Sequence, residues 1–412
     1  MTPGRTVSTA LAAATTAAAA VLGVGSPAAQ AVPIGPGCPA LYVLGVQGTG
    51  QSSPSADPLV DTGVVGALLG PVAAAVPDLV QRSYIPYQAG FGGVVPGGGP
   101  DPYVTSVTDA VDQLTTAAAQ ITQTCPHTLL AGVGFSQGAQ AMSEFARAVG
   151  AGEGPVPADR IAGIALYSNP DRAPASPVFP GRPGQAAPDP APGTDGTAVA
   201  AVHMMSGPAA GGGIADHSTD YGELTGRVAD ICVDGDLSCS APDHAALLRV
   251  GAEIAAQADL RDPVAAVTTI QSVLSAALGE AWTTVLANDF RTAPGVADYV
   301  PQRSLSQRLT DAADPRTPEL TPDQAAMAAM RWSEITAAVA SNPVGVLPNL
   351  SAQLAGAWGQ LIADNADLIN PAVWVRFADT VARHNGYATT GQLTSGIAWM
   401  VALAHDLAGS TR

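Results

Sequence analysis

Lysine is absent from this chain, and all 17 of its basic side chains are arginine. That absence excludes a Ser–Lys catalytic pair, Schiff-base chemistry on a lysine amine and a phosphate-binding P-loop lysine. Charge of any sign is scarce: Asp, Glu and Arg make up 12% of 412 residues, and the net charge is −17. An acidic chain with no basic stripe has nothing to exchange for phosphate counterions, so neither nucleic acid nor an anionic membrane surface is an expected partner. No Cys/His group has zinc-site spacing, and no metal or organic cofactor is implied. After the first 24 residues there is no uninterrupted apolar run of about 18 residues, so no transmembrane span is expected in the mature chain.

The N-terminus has the order of a secretory leader. Arg5 precedes an Ala-, Val-, Leu- and Thr-rich run from Val7 to Val24, and Ala29-Gln30-Ala31 supplies small residues for cleavage. Residues 1–31 are therefore expected to be a signal peptide. A membrane-spanning helix is the competing reading, opposed by Pro27 and the Ala-x-Ala site. Export to the envelope or beyond places the four cysteines where an even count favours disulfides over buried free thiols. Three pairings are possible. Cys232 and Cys239 are close in sequence and most simply pair with each other, leaving Cys38 with Cys125.

Apolar runs at Leu41–Val46, Leu79–Tyr84, Leu129–Val133, Ile161–Tyr167 and Arg227–Ile231 read as strands. Val104–Thr124 reads as a helix, with Val107, Val111, Leu114 and Ala118 at helical spacing. After residue 136, Met142, Phe145, Ala146 and Val149 mark another. Strands alternating with helices imply an α/β sandwich on a central parallel sheet. Residues 172–197, with seven prolines, read as a long surface loop. From Ala245 to Asn370 the pattern is nearly all helical, and we expect an inserted α-helical subdomain (245–370) between two parts of one catalytic domain (32–244 and 371–412). Ala328, Trp332, Ile335 and Val339 share one helix face, as do Leu354, Trp358, Leu361 and Ile362. Pro343, Pro348 and Pro371 are expected breaks between helices. A last helix, Gln392–Leu407, carries Leu393, Ile397, Met400, Val401 and Ala404 on a face suited to a sheet.

Chemistry concentrates at Gly134-Phe135-Ser136-Gln137-Gly138, a Gly-x-Ser-x-Gly between a strand and a helix. That is the layout of a nucleophile elbow. A serine hydroxyl needs a base, and the base needs an orienting acid. In sheet-based hydrolases the chain order is Ser, then Asp or Glu, then His. Asp236, between Cys232 and Cys239, follows a strand and is the best acid. Asp171 is a weaker rival, and Asp234-Gly235 also fits a plain turn. Among six histidines, His127 lies at the wrong end of the elbow strand, His203 and His217 precede the acid, and His405 sits late in the terminal helix. His384, in an expected loop before the last helix, is favoured as base, with His244 the alternative. Gln137 supplies one backbone N–H for an oxyanion hole, and Gly48-Thr49-Gly50-Gln51 offers another through Thr49.

In combination these blocks resemble the cutinase family, and more closely the cutinase-like lipid esterases of mycolate-containing actinobacteria. Cys125-Pro126 with the elbow, Cys232 through Cys239, Gln47 through Gln51, and His384-x-x-Tyr387 are similar to its nucleophile, acid, oxyanion and histidine blocks. The resemblance spans roughly Cys38 to Asp243 and the tail from about Trp374. It implies an α/β-hydrolase fold and a Ser136–His384–Asp236 triad. It also implies Thr49 and Gln137 as oxyanion donors, and Cys38–Cys125 and Cys232–Cys239 as disulfides. Compact cutinases place acid and histidine much closer, so the helical insertion is a departure. The expected function is a secreted serine esterase acting on lipid-like or other small esters through an acyl-enzyme. Phospholipase A or thioesterase activity would use the same residues, and a non-catalytic envelope-binding module keeping the fold is the rival of another class. Oligomeric state is not indicated.

Overall fold

The computed structural model describes residues 31–207, 209–215 and 220–410. The expected signal peptide and His217 therefore lie, entirely or nearly so, outside the described residues. Five strands, β1 (Leu41–Val46), β2 (Val80–Tyr84), β3 (Leu129–Phe135), β4 (Ile161–Tyr167) and β5 (Val228–Ile231), form one parallel sheet in the order β2-β1-β3-β4-β5. Their near-continuous Val, Leu, Ile and Ala content follows from being covered on both faces. Helices α1 (Gly63–Ala75) and the C-terminal Gln392–Ser410 pack on one face, where Leu68, Leu69, Trp399, Met400 and Leu403 meet β1 and β3. Helices α2 (Tyr103–Thr124) and α3 (Gln137–Gly150) cover the other through Leu114, Ile121, Met142 and Phe145. The order in which strands are added reverses between β1 and β3, the place where parallel sheets open a crevice at their carboxyl edge. Residues 172–197 contain no helix or strand.

Between β5 and the last helix come α4 (Ala246–Ala256), α5 (Pro263–Asp289), a hairpin of β6 (Phe290–Ala293) and β7 (Val296–Tyr299), α6 (Leu305–Ala313), α7 (Pro322–Ser341), α8 (Pro343–Ala363), α9 (Pro371–Val375) and α10 (Thr380–Asn385), making the last helix α11. Local chemistry starts several of them. Asp262 caps α5, and Ser304 with Gln307 and Thr321 with Gln324 form capping boxes on α6 and α7. Two apolar clusters, one around Val285, Phe290, Tyr299, Ile335 and Leu350 and one around Val250, Ile254 and Ala313, hold this region together.

Several expectations are corrected here. Residues 290–299 form a hairpin, not helix. Pro348 lies inside α8 rather than breaking it; the carbonyl its missing N–H leaves free is that of exposed Val344, where water can take the bond. Ala328 and Ile335 are buried, but Trp332 of the same expected face is exposed, and so are Leu354, Trp358 and Ile362. Among the described residues, α5 is long and apolar enough by length and composition to cross a membrane; in the fold it packs on α4, α6 and α7.

Candidate active site

Ser136 sits between β3 and α3 at φ 54°, a left-handed backbone that costs a non-glycine residue about 1–3 kcal/mol and lifts its side chain above the sheet edge. The residues around it explain the motif's glycines. A Cβ on Gly138 would lie 2.2 Å from the Val46 carbonyl oxygen and 2.3 Å from that of Gln47, so only glycine lets α3 start against the end of β1. A Cβ on Gly48 would lie 2.8 Å from Phe135 Cδ1 and 3.3 Å from Ser136 Cβ, so the 47–51 loop lies directly on Ser136.

The backbone N–H groups of Thr49 and Gln137 have no hydrogen-bond partner among the described residues. Gln137 is the first residue of α3, where helix geometry leaves N–H groups unpaired and favours negative charge. Its side chain is locked: Nε2 donates to the Gly90 carbonyl (2.9 Å), and Oε1 accepts from Tyr87 (3.2 Å), whose hydroxyl also reaches the Gln47 carbonyl at 2.6 Å. The loop is pinned on its other side through Gln47 and Gln51. Their side-chain oxygens accept from Val65 and Val64 N–H, capping α1 where Thr62 does not.

The acid and the histidine come from opposite ends of the helical region. Asp236 is fully buried in the loop closed by the Cys232–Cys239 disulfide; the second disulfide joins Cys38 to Cys125. Asp236 Oδ1 lies 2.9 Å from His384 Nδ1 and accepts the Ser238 N–H at 3.1 Å; Oδ2 accepts the Tyr387 hydroxyl at 2.9 Å. Burial, and then the Asp236 charge, push the Tyr387 phenol well above its ordinary pKa, so it remains a donor. Thr380 Oγ1 accepts from Leu237 N–H, and Arg383 donates to the Asp234 carbonyl, fastening α10 onto the acid loop. With Nδ1 carrying its proton toward Asp236, Nε2 is left as the basic nitrogen. The imidazole packs on the ring of Phe135, the residue before the nucleophile, with centroids 5.1 Å apart. Ser136 Oγ makes no hydrogen bond among the described residues; such catalytic contacts commonly tighten only with substrate in place.

His384 lies on helix α10 rather than in a loop, which fixes the imidazole instead of leaving it to swing. His244 is exposed and bonded through its backbone to Asp367, and makes no hydrogen bond to Asp236 among the described residues. Asp171 is buried against Arg147 (3.1 Å) and Arg316 (3.4 Å), an ion-pair role. His127, His203 and His405 are exposed. Sequence reasoning missed Ser168. It follows β4 at φ 56°, fully buried, with Oγ 2.9 Å from His384 Nδ1. Its only signal is its place at the carboxyl end of the neighbouring strand.

A parallel sheet, a strained serine elbow beside its switch point, and a buried Asp236 paired with a half-buried His384 at the same edge define an α/β hydrolase. Residues 37–248, about half of the sequence, match the sequence model of the cutinase family, and the chain belongs to that family. It is similar to a carboxylesterase Culp6 homologue of Corynebacterium glutamicum, 28% identical over 216 residues; the match spans 50% of this chain and 66% of that protein, slightly under two thirds. Among solved structures, the catalytic core domain of an acetyl xylan esterase from Trichoderma reesei is 19% identical, covering 57% of this chain and 99% of its own, with a TM-score of 0.33. Lysin B from Mycobacteriophage D29 is 17% identical, covering 70% and 93%, with a TM-score of 0.36.

Proposed function

We propose that this protein is an exported serine carboxylic-ester hydrolase acting on lipid-like esters, with Ser136, His384 and Asp236 as its triad. The observation that carries the reading is the contact at 2.9 Å between buried Asp236 and half-buried His384, whose imidazole packs on the ring of Phe135 beside Ser136. Ser136 Oγ attacks the ester carbonyl carbon while His384 Nε2 takes its proton. The carbonyl oxygen, now negative, is met by the N–H groups of Thr49 and Gln137. The intermediate collapses to acyl-Ser136, and His384 returns the proton to the departing alkoxide. Water, deprotonated by His384, then attacks the acyl carbon and restores the serine. Asp236 holds the tautomer and balances the imidazolium, and Tyr387 and Ser238 hold Asp236. The leader-like N-terminus and the two disulfides support export. The separate apolar clusters between β5 and α11 support 245–370 as an insertion in a catalytic domain of 32–244 and 371–412.

The test is fluorophosphonate labelling with hydrolysis of short- and long-chain p-nitrophenyl esters. Labelling and turnover are expected in the wild type and His244→Ala, and loss in Ser136→Ala and His384→Ala. Turnover that survives Ser136→Ala, or that only His244→Ala abolishes, refutes the assignment.

A further inference from the structure

Two helices of the 245–370 region carry the same outward apolar pattern. On α5, Val264, Val267, Leu274, Leu278 and Trp282 are exposed; on α8, Val344, Leu347, Leu354, Trp358 and Ile362 are exposed. Both sets step by three, seven, four and four residues. At 3.6 residues per turn each stripe stays within an arc of about 80°. The packed residues lie to one side of the stripes, through Ala277 and Ala281 on α5 and Val346 and Leu350 on α8, and the stripe of α5 ends at buried Val285 and Leu286. Trp282 stands 6.1 Å from Trp332 of α7, ring to ring, although the two are 52% and 50% exposed. Exposed apolar surface in this quantity, including tryptophans left half in water, marks a surface that meets something else.

Its chemistry limits the occupant. Helix α8 has no charged residue, and α5 has only Glu280 and Asp289. With no basic side chain on either helix and a net charge of −17, phosphate headgroups and anionic lipid find no partner and are repelled. Further along the chain, Ile369, Val375 and Val381 are exposed too, and Val381, 71% exposed, stands on α10, the helix that carries His384.

We propose that the stripe of α5, extended onto α7 by the Trp282–Trp332 pair, and the stripe of α8 are an adsorption surface for an uncharged lipid–water interface, and that α10, with its exposed Val381, brings His384 to that interface. The proposal rests on the ester-hydrolase reading for its purpose, but its first test does not use activity. The Ser136→Ala protein, which consumes nothing, is mixed with triolein droplets, with phosphatidylcholine vesicles and with phosphatidylglycerol vesicles, and the bound fraction is measured by flotation. Adsorption to triolein is expected, with little or none on phosphatidylglycerol. A Trp282→Ser/Trp358→Ser double variant, altered only at exposed side chains, is expected to lose at least ten-fold in droplet partitioning. In the Ser136 background, turnover of a soluble short-chain p-nitrophenyl ester is expected to be unchanged by the pair, while hydrolysis of emulsified ester falls in step with adsorption. Droplet binding that the double variant retains, stronger binding to the anionic vesicles, or a wild-type dimer that the double variant converts to monomer without any change in adsorption overturns the proposal; the last outcome makes a second copy the occupant. Adsorption with no hydrolysis of any ester refutes the catalytic reading alone.

Discussion

Removing one oxygen atom at Tyr387 tests how the acid is held. The phenol donates to Asp236 Oδ2 at 2.9 Å, accepts the Val233 N–H at 3.1 Å, and lies 3.5 Å from Cys239 Sγ, with the whole side chain buried. Tyr387→Phe keeps the ring, which packs edge-on against Phe135 and Tyr167, and removes only the hydroxyl. A hydrogen bond to a carboxylate contributes about 1.5–3 kcal/mol, and an orphaned buried N–H costs about 1–3 kcal/mol. The two losses share one atom and partly relax together, so a net destabilisation of about 3 kcal/mol is expected. The measurement is urea unfolding with disulfides oxidised, where the midpoint should fall at constant slope. Asp236 keeps the Ser238 N–H and His384, so turnover should drop by about ten-fold (about 1.4 kcal/mol) rather than vanish, with KM little changed. A stability loss under about 0.5 kcal/mol together with unchanged kcat would show that the phenol does not secure the carboxylate, and the reasoning fails.

Three further outcomes follow from other contacts. Glycine accepts φ 56° freely, so Ser168→Gly should raise stability by up to about 1 kcal/mol. It should also lower kcat, because the lost oxygen no longer holds the His384 ring; a higher melting point with an unchanged kcat would assign Ser168 no part in placing His384. Burial pushes Asp230 up to about 6, and its Oδ1 has no partner, so the carboxyl is held neutral below that pH. Its folded pKa lies above the unfolded value near 4, so its contribution is full below about pH 4 and is lost as pH rises through about 6, by up to about 3 kcal/mol. Asp230→Asn should therefore gain on the wild type between those limits in pH-dependent denaturation, and parallel curves would refute the assignment. Finally, the Cys38–Cys125 bond spans 87 residues and the Cys232–Cys239 bond spans 7, which chain entropy converts to about 4–5 and about 2–3 kcal/mol. Serine pairs at each should show that order in stability but the reverse in turnover, since only the short loop carries Asp236.

Strands and the elbow were legible because a sheet covered on both faces demands unbroken apolar runs, and because β1 and β4 are bounded by glycine, proline or polar residues that stop them. The histidine segment was legible only through chain order and the His384-x-x-Tyr387 resemblance. What brings it to Asp236 is a set of contacts across 148 residues, from Thr380, Arg383 and Tyr387, that no local pattern encodes. Ser168 was invisible for the same reason: its role depends on which side chain arrives beside it. The β6–β7 hairpin had a readable signal in Pro294-Gly295, with Gly295 at φ 69° as a type II turn requires, but it was submerged in helical periodicity on both sides.

Helix α8 shows where periodicity stops being informative. It carries two apolar stripes, Val346, Leu350 and Ala357 on one side and Leu347, Leu354, Trp358 and Ile362 on another, and no charged residue to mark a wet face. Either stripe satisfies the rule that an apolar helix face packs inward. Bulk alone would select the stripe with Trp358. The fold selects the smaller one, because Val346 and Leu350 fit against Phe290 and Tyr299 of the hairpin and Ile335 of α7, where close packing leaves no room for an indole. The larger side chains are thereby left outside. A helix whose bigger apolar residues face water gains little from them in its own folding, so their presence on α5 and α8 with identical spacing calls for a cause outside the fold. Adsorption to an uncharged lipid phase supplies one, and the flotation experiment measures that cause without reference to catalysis.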